Sequence, residues 1–113
     1  MNKDKLVHPD LASGRWFTLT LAEQLGNVGS EYERARRWKD RDEQSHFENA
    51  FDRMLELLDL TIADQRWHNH RLKELVRLRE VICEEFFGEP YGSSTGDLRN
   101  YFLYFGLLAR KDK

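Results

Sequence analysis

Apolar residues recur along this chain at steps of three and four, the spacing that places them on one face of an α-helix. The first such run follows a capping box at Thr20 and Glu23, whose side chains satisfy exposed N–H groups at a helix start. Its apolar positions are Leu21, Leu25, Val28, Tyr32 and Ala35. We therefore predict a first helix over residues 16–39, with basic residues at its carboxyl end.

Two further stretches continue the same periodicity and predict the second and third helices. The second, over residues 42–63, opens with Asp42, whose carboxylate can accept hydrogen bonds from the first N–H groups of a helix. The third, over residues 65–87, follows Asp64 as a similar cap and ends before Gly88. Their apolar positions are Phe47, Ala50, Phe51, Met54, Leu55, Leu58 and Ile62, then Leu72, Leu75, Val76, Val81, Ile82 and Phe86.

The joint between these two helices, ADQRWHNH at residues 63–70, contains neither glycine nor proline. Such a joint also permits the alternative that the two helices fuse into one long rod. A fused rod would force the core to form between chains, whereas separate helices allow a core within one chain.

A fourth helix follows the loop GEPYGSSTGD, whose glycines, serines and proline are typical of a connection rich in turns. We predict this helix over residues 97–109. Short connections make successive helices antiparallel neighbours. The chain is therefore predicted to be all-α, with a flexible N-terminal arm at residues 1–14 and one up-down-up-down four-helix bundle at residues 15–111.

The fourth predicted helix is apolar on every side. Its main face contains Leu98, Tyr101, Phe105 and Leu108. Leu103 and Leu107 fall nearly opposite that face, with Gly106 between their directions. A helix apolar all round is usually buried on more than one side, so we expect a homodimer or higher oligomer to cover these residues. The alternative is that the N-terminal arm folds back over them. Its apolar residues are Leu6, Val7, Leu11, Trp16 and Phe17.

A strip of small residues in the first helix gives a related indication. Ala22, Gly26 and Gly29 lie along one side of this helix. Glycine inside a helix costs about 1 kcal/mol relative to alanine. Two glycines here predict a close helix crossing, and we include Gly26 and Gly29 in the expected interface for self-association. Tolerated surface glycines are the alternative.

The composition is that of a single domain with a charged surface. The 113 residues are 40% apolar and 34% charged, and the net charge of −2 gives no general signal for polyanion binding. No apolar run reaches the roughly 20 residues of a membrane span, and the amino terminus has no stretch of signal-peptide type. The lone Cys83 cannot form an internal disulfide. We expect a cytoplasmic protein with a reduced thiol and no membrane contact.

The segment RDEQSH, residues 41–46, resembles the Arg-x4–6-His motif of the HEPN ribonucleases, which are all-helical. The resemblance implies that Arg41 and His46 of two chains meet and cut RNA without a metal ion. The alternative assigns Arg41 to the cationic end of the first helix, Asp42 to a cap and His46 to the surface. Glu43 and His46 have the spacing of a helical di-metal pair, but a second pair is missing. We therefore expect no metal and no cofactor.

The segment HRLKE, residues 70–74, resembles the His-x-Leu-Lys-Gly segment of histidine phosphotransfer domains, which are four-helix bundles. The resemblance implies that His70 is phosphorylated and that Lys73 steadies the phosphoryl group. Glu74 stands where that family has glycine, and its carboxylate would repel the phosphoryl group.

Basic residues are expected to gather at one end of the bundle, where the joint between the second and third helices meets the end of the fourth. An aromatic residue among them suggests contact with a nucleic acid or another anion. These candidates are Arg66, Trp67, His70, Arg71, Lys73, Arg110 and Lys111. Complementation of helix ends is the alternative explanation.

These patterns together favour a non-catalytic interaction or scaffold module that acts as a homo-oligomer. A HEPN-like ribonuclease using Arg41 and His46 is the first alternative, and phosphotransfer through His70 is the second. A protein partner of unknown identity fits the first reading, and nucleic acid is the weaker possibility.

Overall fold

The computed structural model describes residues 14–88 and 95–111, with the side chains of the last segment described from Leu98 onward. The described residues form four α-helices and no strand: α1 (Leu21–Asp40), α2 (Gln44–Ala63), α3 (Leu72–Phe87) and α4 (Thr95–Lys111). The predicted all-α four-helix architecture is confirmed. The predicted arm lies outside the described residues except for Gly14.

Helix α1 begins where its capping box is formed. The Thr20 hydroxyl accepts from the Glu23 N–H at 3.1 Å, and the Thr20 N–H donates to Glu23 Oε1 at 2.9 Å. The predicted start at residue 16 differs from this, because Trp16 belongs to a separate 3-10 turn over Arg15–Thr18. Local satisfaction of the exposed N–H groups thus decides where α1 begins.

The corner between α1 and α2 does not use Asp42 as a cap, so this prediction is wrong. Asp42 has φ 59°, the left-handed region, and its N–H donates to the Lys39 carbonyl at 3.1 Å. The next N–H, of Glu43, donates to the Trp38 carbonyl at 3.0 Å. This pair of bonds is the common way to end a helix, and Asp42 occupies the position where glycine is usual. Helix α2 starts only at Gln44, with Glu43 before it.

Helices α2 and α3 are separate, so the fused rod is excluded. Asp64 has an extended backbone after α2, and its carboxylate accepts from the Arg66 N–H at 3.1 Å. A short 3-10 turn over Gln65–Trp67 and a further turn precede Leu72, so α3 starts later than the predicted residue 65. The core therefore forms within one chain.

Helix α1 lies at the centre of the bundle, with α2 on one side and α4 on the other, while α3 packs on α2. The ring of Tyr32 on α1 joins the layers, because it lies 5.8 Å from the ring of Phe86 on α3 and 5.3 Å from that of Phe102 on α4. The largest fully buried apolar side chains are Trp16, Leu25, Val28, Tyr32, Phe47, Met54, Leu58, Leu75 and Ile82. Among the described residues, no helix combines the length and the apolar character needed to cross a membrane.

The glycine strip of α1 forms the close crossing that the sequence predicts, and its partner is α4 of the same chain. A Cβ added at Gly29 would lie 2.6 Å from Phe102 Cβ, which leaves no room for a side chain. A Cβ added at Gly26 would lie 3.4 Å from the Cα of Gly106. The crossing is antiparallel, since the later α1 glycine meets the earlier α4 residue. Gly26 and Gly29 therefore have a structural role within one chain before any second chain is considered.

Candidate functional site

The outer face of α4, defined here as Leu103, Tyr104 and Leu107, is exposed. The three side chains are 54%, 60% and 52% accessible, whereas the neighbouring Phe102 and Phe105 are buried in the core. The helix thus has the two-sided apolar character that its sequence predicts, with one side inside and the other in solvent. Trp16 does not cover this face, because it is buried and its Nε1 donates to the Thr61 hydroxyl at 3.1 Å.

A groove of about 610 Å³ runs beside this face between α1 and α4. The three glycines Gly26, Gly29 and Gly106 lie along it, and Leu103 forms part of one wall. Nothing lies within 4 Å of a Cβ added at Gly106, so the groove is open above this residue. Small residues on both helices thus produce a concave surface next to a convex one.

Charged residues lie at both ends of this α1–α4 groove. At one end, Arg99 Nε donates to Glu33 Oε2 at 2.9 Å, and both side chains are partly exposed. At the other end, Glu23 and Arg110 line the groove. Each end thus presents one acidic side chain from α1 and one basic side chain from α4.

The structure brings Arg41 and His46 together around a third residue, Trp38. The His46 ring stacks on the indole with centroids 4.4 Å apart and planes at 29°. The Arg41 guanidinium carbon lies 5.7 Å from the centre of the Trp38 ring system, a cation–π arrangement. Both Arg41 and His46 are exposed. Both residues of the pair that resembles the ribonuclease motif thus contact the same indole within a single chain, at the α1–α2 corner.

His70 lies in the turn before α3 and is exposed, whereas the phosphotransfer family has its histidine in the middle of a helix. Glu74, the residue that departs from that family, is held by two neighbours. It accepts from the Tyr101 hydroxyl at 2.7 Å and from Arg71 Nη1 at 3.0 Å. Burial, together with the hydrogen bond to Glu74, raises the pKa of Tyr101. Glu74 thus ties α3 to α4.

Two members of the predicted basic surface, Arg66 and Trp67, bond to buried groups, although the Arg66 side chain remains 42% exposed. Arg66 Nη2 donates to Asp64 Oδ2 and to the Leu19 carbonyl, both at 2.6 Å. The Trp67 indole is half-buried, and its Nε1 donates to Gln24 Oε1 at 2.8 Å. Arg71 pairs with Glu74. The other candidates at this end, His70, Lys73, Arg110 and Lys111, are exposed.

The groups that hold Arg66 and Trp67 form a buried polar network that sequence reasoning missed. Gln24 is completely buried, and its Nε2 donates to the Trp16 carbonyl and to Asp64 Oδ2, each at 3.0 Å. The buried hydroxyl of Thr61 accepts from Trp16 and donates to the Leu57 carbonyl at 2.9 Å. We call this set the Gln24 network, comprising Trp16, Gln24, Thr61, Asp64, Arg66 and Trp67. The sequence feature that could have indicated this network is Gln24, a polar residue directly before the core residue Leu25 on the inner side of α1.

Asp64 is the ionisable centre of this network. Burial alone would raise its pKa, but hydrogen bonds from Arg66 and Gln24 outweigh this and hold the pKa below the usual value for aspartate. A carboxylate so satisfied is a structural anchor. Within residues 14–88 and 95–111, no three His, Cys, Asp or Glu side chains are arranged to hold a metal ion.

Comparisons of the chain with protein-family models, curated proteins and solved structures gave no match.

Proposed function

We propose that this protein is a non-catalytic interaction module that self-associates through the outer face of α4. The observation that carries the proposal is the exposure of Leu103, Tyr104 and Leu107 on one side of a helix whose other side is in the core. Contiguous apolar surface of this kind marks interaction sites more often than it is left in water. The half-buried thiol Cys83, which forms no disulfide, supports a cytoplasmic location as part of the proposal.

The magnitude of the expected association follows from the size of this face. Covering a half-exposed leucine or tyrosine contributes about 1 kcal/mol, so three side chains on each of two copies contribute about 6 kcal/mol. A complex with a micromolar Kd requires about 8 kcal/mol, after the entropy cost of association has been subtracted. The three side chains alone fall short of this value, so a stable dimer must also bury neighbouring surface.

Light scattering after size-exclusion chromatography tests the proposal at protein concentrations up to hundreds of micromolar. We expect a mass above that of the monomer, and we expect Leu103→Glu to restore the monomer without lowering the melting temperature. Val76→Glu on α3 is the matched control, because Val76 is also exposed, at 43%, but lines a different surface depression, formed by residues of α3 and the turn before it. A monomer at every concentration would contradict the proposal.

Metal-independent RNA cleavage is the second candidate, because Arg41 and His46 are both exposed and both contact Trp38. This candidate requires cleavage of single-stranded RNA in the presence of EDTA, with loss of activity in His46→Ala. His68→Ala is the matched control, since His68 is also an exposed histidine of this chain. Equal activity in both variants, or none in the unmodified protein, would exclude this candidate.

A further inference from the structure

The convex and concave parts of the α4 surface lie side by side, which makes the surface complementary to itself. Leu103 stands at the wall of the α1–α4 groove, and the backbone at Gly106 is open to it. A surface with a ridge beside a groove can pair with its own copy across a two-fold axis, each ridge entering the other groove. The groove floor supplies the additional buried surface that the three exposed side chains lack.

The charges at the ends of α4 distinguish the two possible directions of such a pair. The carboxyl end of α4 carries two exposed basic side chains, Arg110 and Lys111, against one acidic side chain of α1, Glu23, whereas at the other end Arg99 is balanced by Glu33. If the two helices ran parallel, the two basic ends would meet and repel each other. If they ran antiparallel, the basic end of each copy would lie beside the Glu33 end of the other.

We infer that the groove is occupied by α4 of a second copy of this chain, running antiparallel, with Leu103 of each copy facing Leu107 of the other. The inference rests on the proposed function and specifies its partner and direction. The two-fold axis passes midway between Leu103 and Leu107, so Asn100 of one copy lies opposite Arg110 of the other, one residue from Lys111.

Cross-linking with a short bismaleimide shows directly whether the two α4 helices run parallel or antiparallel. In a Cys83→Ser background, chains carrying Asn100→Cys are mixed with chains carrying Lys111→Cys. The antiparallel pair predicts cross-linked dimers in the mixture and none in either variant alone. A parallel pair predicts cross-linking within each variant alone, and that result would overturn the inference while leaving self-association intact. A dimer that cross-links in none of the three samples would also overturn it, because it must use another surface.

Filling the groove tests the occupant without touching the exposed leucines. Gly106→Leu has open space for its side chain and favours the helix, so the melting temperature should not fall. We expect the Kd for self-association to rise about tenfold or more, since the leucine side chain occupies the space in the groove that the partner helix would fill. An unchanged Kd would overturn the inference.

Deletion of residues 1–13 separates the second copy from the N-terminal arm as the occupant. The inference predicts that the deleted protein associates as strongly as the full chain. A full chain that is monomeric and associates only after the deletion would assign the groove to the arm and overturn the inference. A protein that is monomeric with and without these residues would overturn both the inference and the proposed function.

Discussion

At the amino end of α1 a partly exposed arginine and tryptophan donate hydrogen bonds to buried side chains, whereas at its carboxyl end a similar pair makes its ring contacts at the surface. Arg66 lies 4.4 Å over the Trp67 ring, and Arg41 lies 5.7 Å over that of Trp38. The first arginine also donates to Asp64, which is buried. The second contacts the same indole as His46, and both Arg41 and His46 are exposed. A buried acceptor converts the first pair into a structural element, while the second remains accessible to a ligand.

Removal of the central amide should produce the largest effect. Gln24→Leu removes the acceptor of Trp67 Nε1, one donor to Asp64 and one of the two donors to the Trp16 carbonyl, which keeps the Leu19 N–H at 3.2 Å. Since each unsatisfied buried group costs about 1–3 kcal/mol, we expect the free energy of unfolding to fall by about 3 kcal/mol or more in urea titrations. The control is Asn27→Ala, because Asn27 is exposed and bonds only its own helix backbone, at Glu23. Similar unfolding midpoints for the two variants would remove the distinction between the two ends.

The ionised form of Asp64 should stabilise the fold in a way that depends on pH. Its pKa is lower in the folded state than in the unfolded chain, so its contribution is complete above about pH 5 and is lost as the pH falls below about 4. Asp64→Asn should lower the free energy of unfolding by about 2 kcal/mol at pH 7. It should also flatten the dependence of this free energy on pH between about pH 5 and 3.

The exposed ion pair of Asp59 with Arg79 provides the control for this measurement. Asp59→Asn should change the free energy of unfolding by less than about 1 kcal/mol, as is usual for surface pairs. If Asp59→Asn and Asp64→Asn flattened the pH dependence of the free energy of unfolding equally below about pH 5, Asp64 would contribute no more to acid sensitivity than a surface carboxylate.

At the carboxyl end, a substitution should increase stability. Asp42 has a positive φ that a side chain disfavours, and its N–H bond to Lys39 does not depend on the residue type. We therefore expect Asp42→Gly to raise the free energy of unfolding by about 0.5–1 kcal/mol. Asp40→Gly, within the last turn of α1, should instead lower it, because glycine is unfavourable in a helix. A destabilised Asp42→Gly protein would indicate that the Asp42 side chain has a role beyond the turn.

The smallest effect is expected for the exposed histidine. His46→Ala removes one stacking contact with Trp38 at the surface, so the free energy of unfolding should change by no more than about 0.5 kcal/mol. A loss of more than about 2 kcal/mol would place His46 with Gln24 among the structural residues.

The direction of the proposed dimer bears on the ribonuclease candidate. Antiparallel pairing through α4 sends the two α1–α2 corners to opposite ends of the dimer. Arg41 of one copy and His46 of the other then lie far apart, so a site shared between chains requires a different interface. Cross-linking in the antiparallel pattern together with His46-dependent RNA cleavage would therefore mean that the pair acts within one chain.

The sequence by itself determined the helical architecture and the two-sided apolar character of α4. Both follow from spacing, because residues three and four apart share a face of a helix whatever the rest of the chain does. The capping box at Thr20 is equally local, and the structure forms it as predicted. Gly26 and Gly29 also predicted a close helix crossing, because they have no side chain to keep another helix at a distance.

Only the tertiary structure decided which groups meet. Gln24 bonds Asp64 across 40 residues, and this distant partner turned an expected helix cap into a buried anchor. Phe102 of the same chain, not a second chain, meets Gly29. Periodicity specifies the face on which a residue lies, whereas the partner at that face depends on how the four helices are placed together.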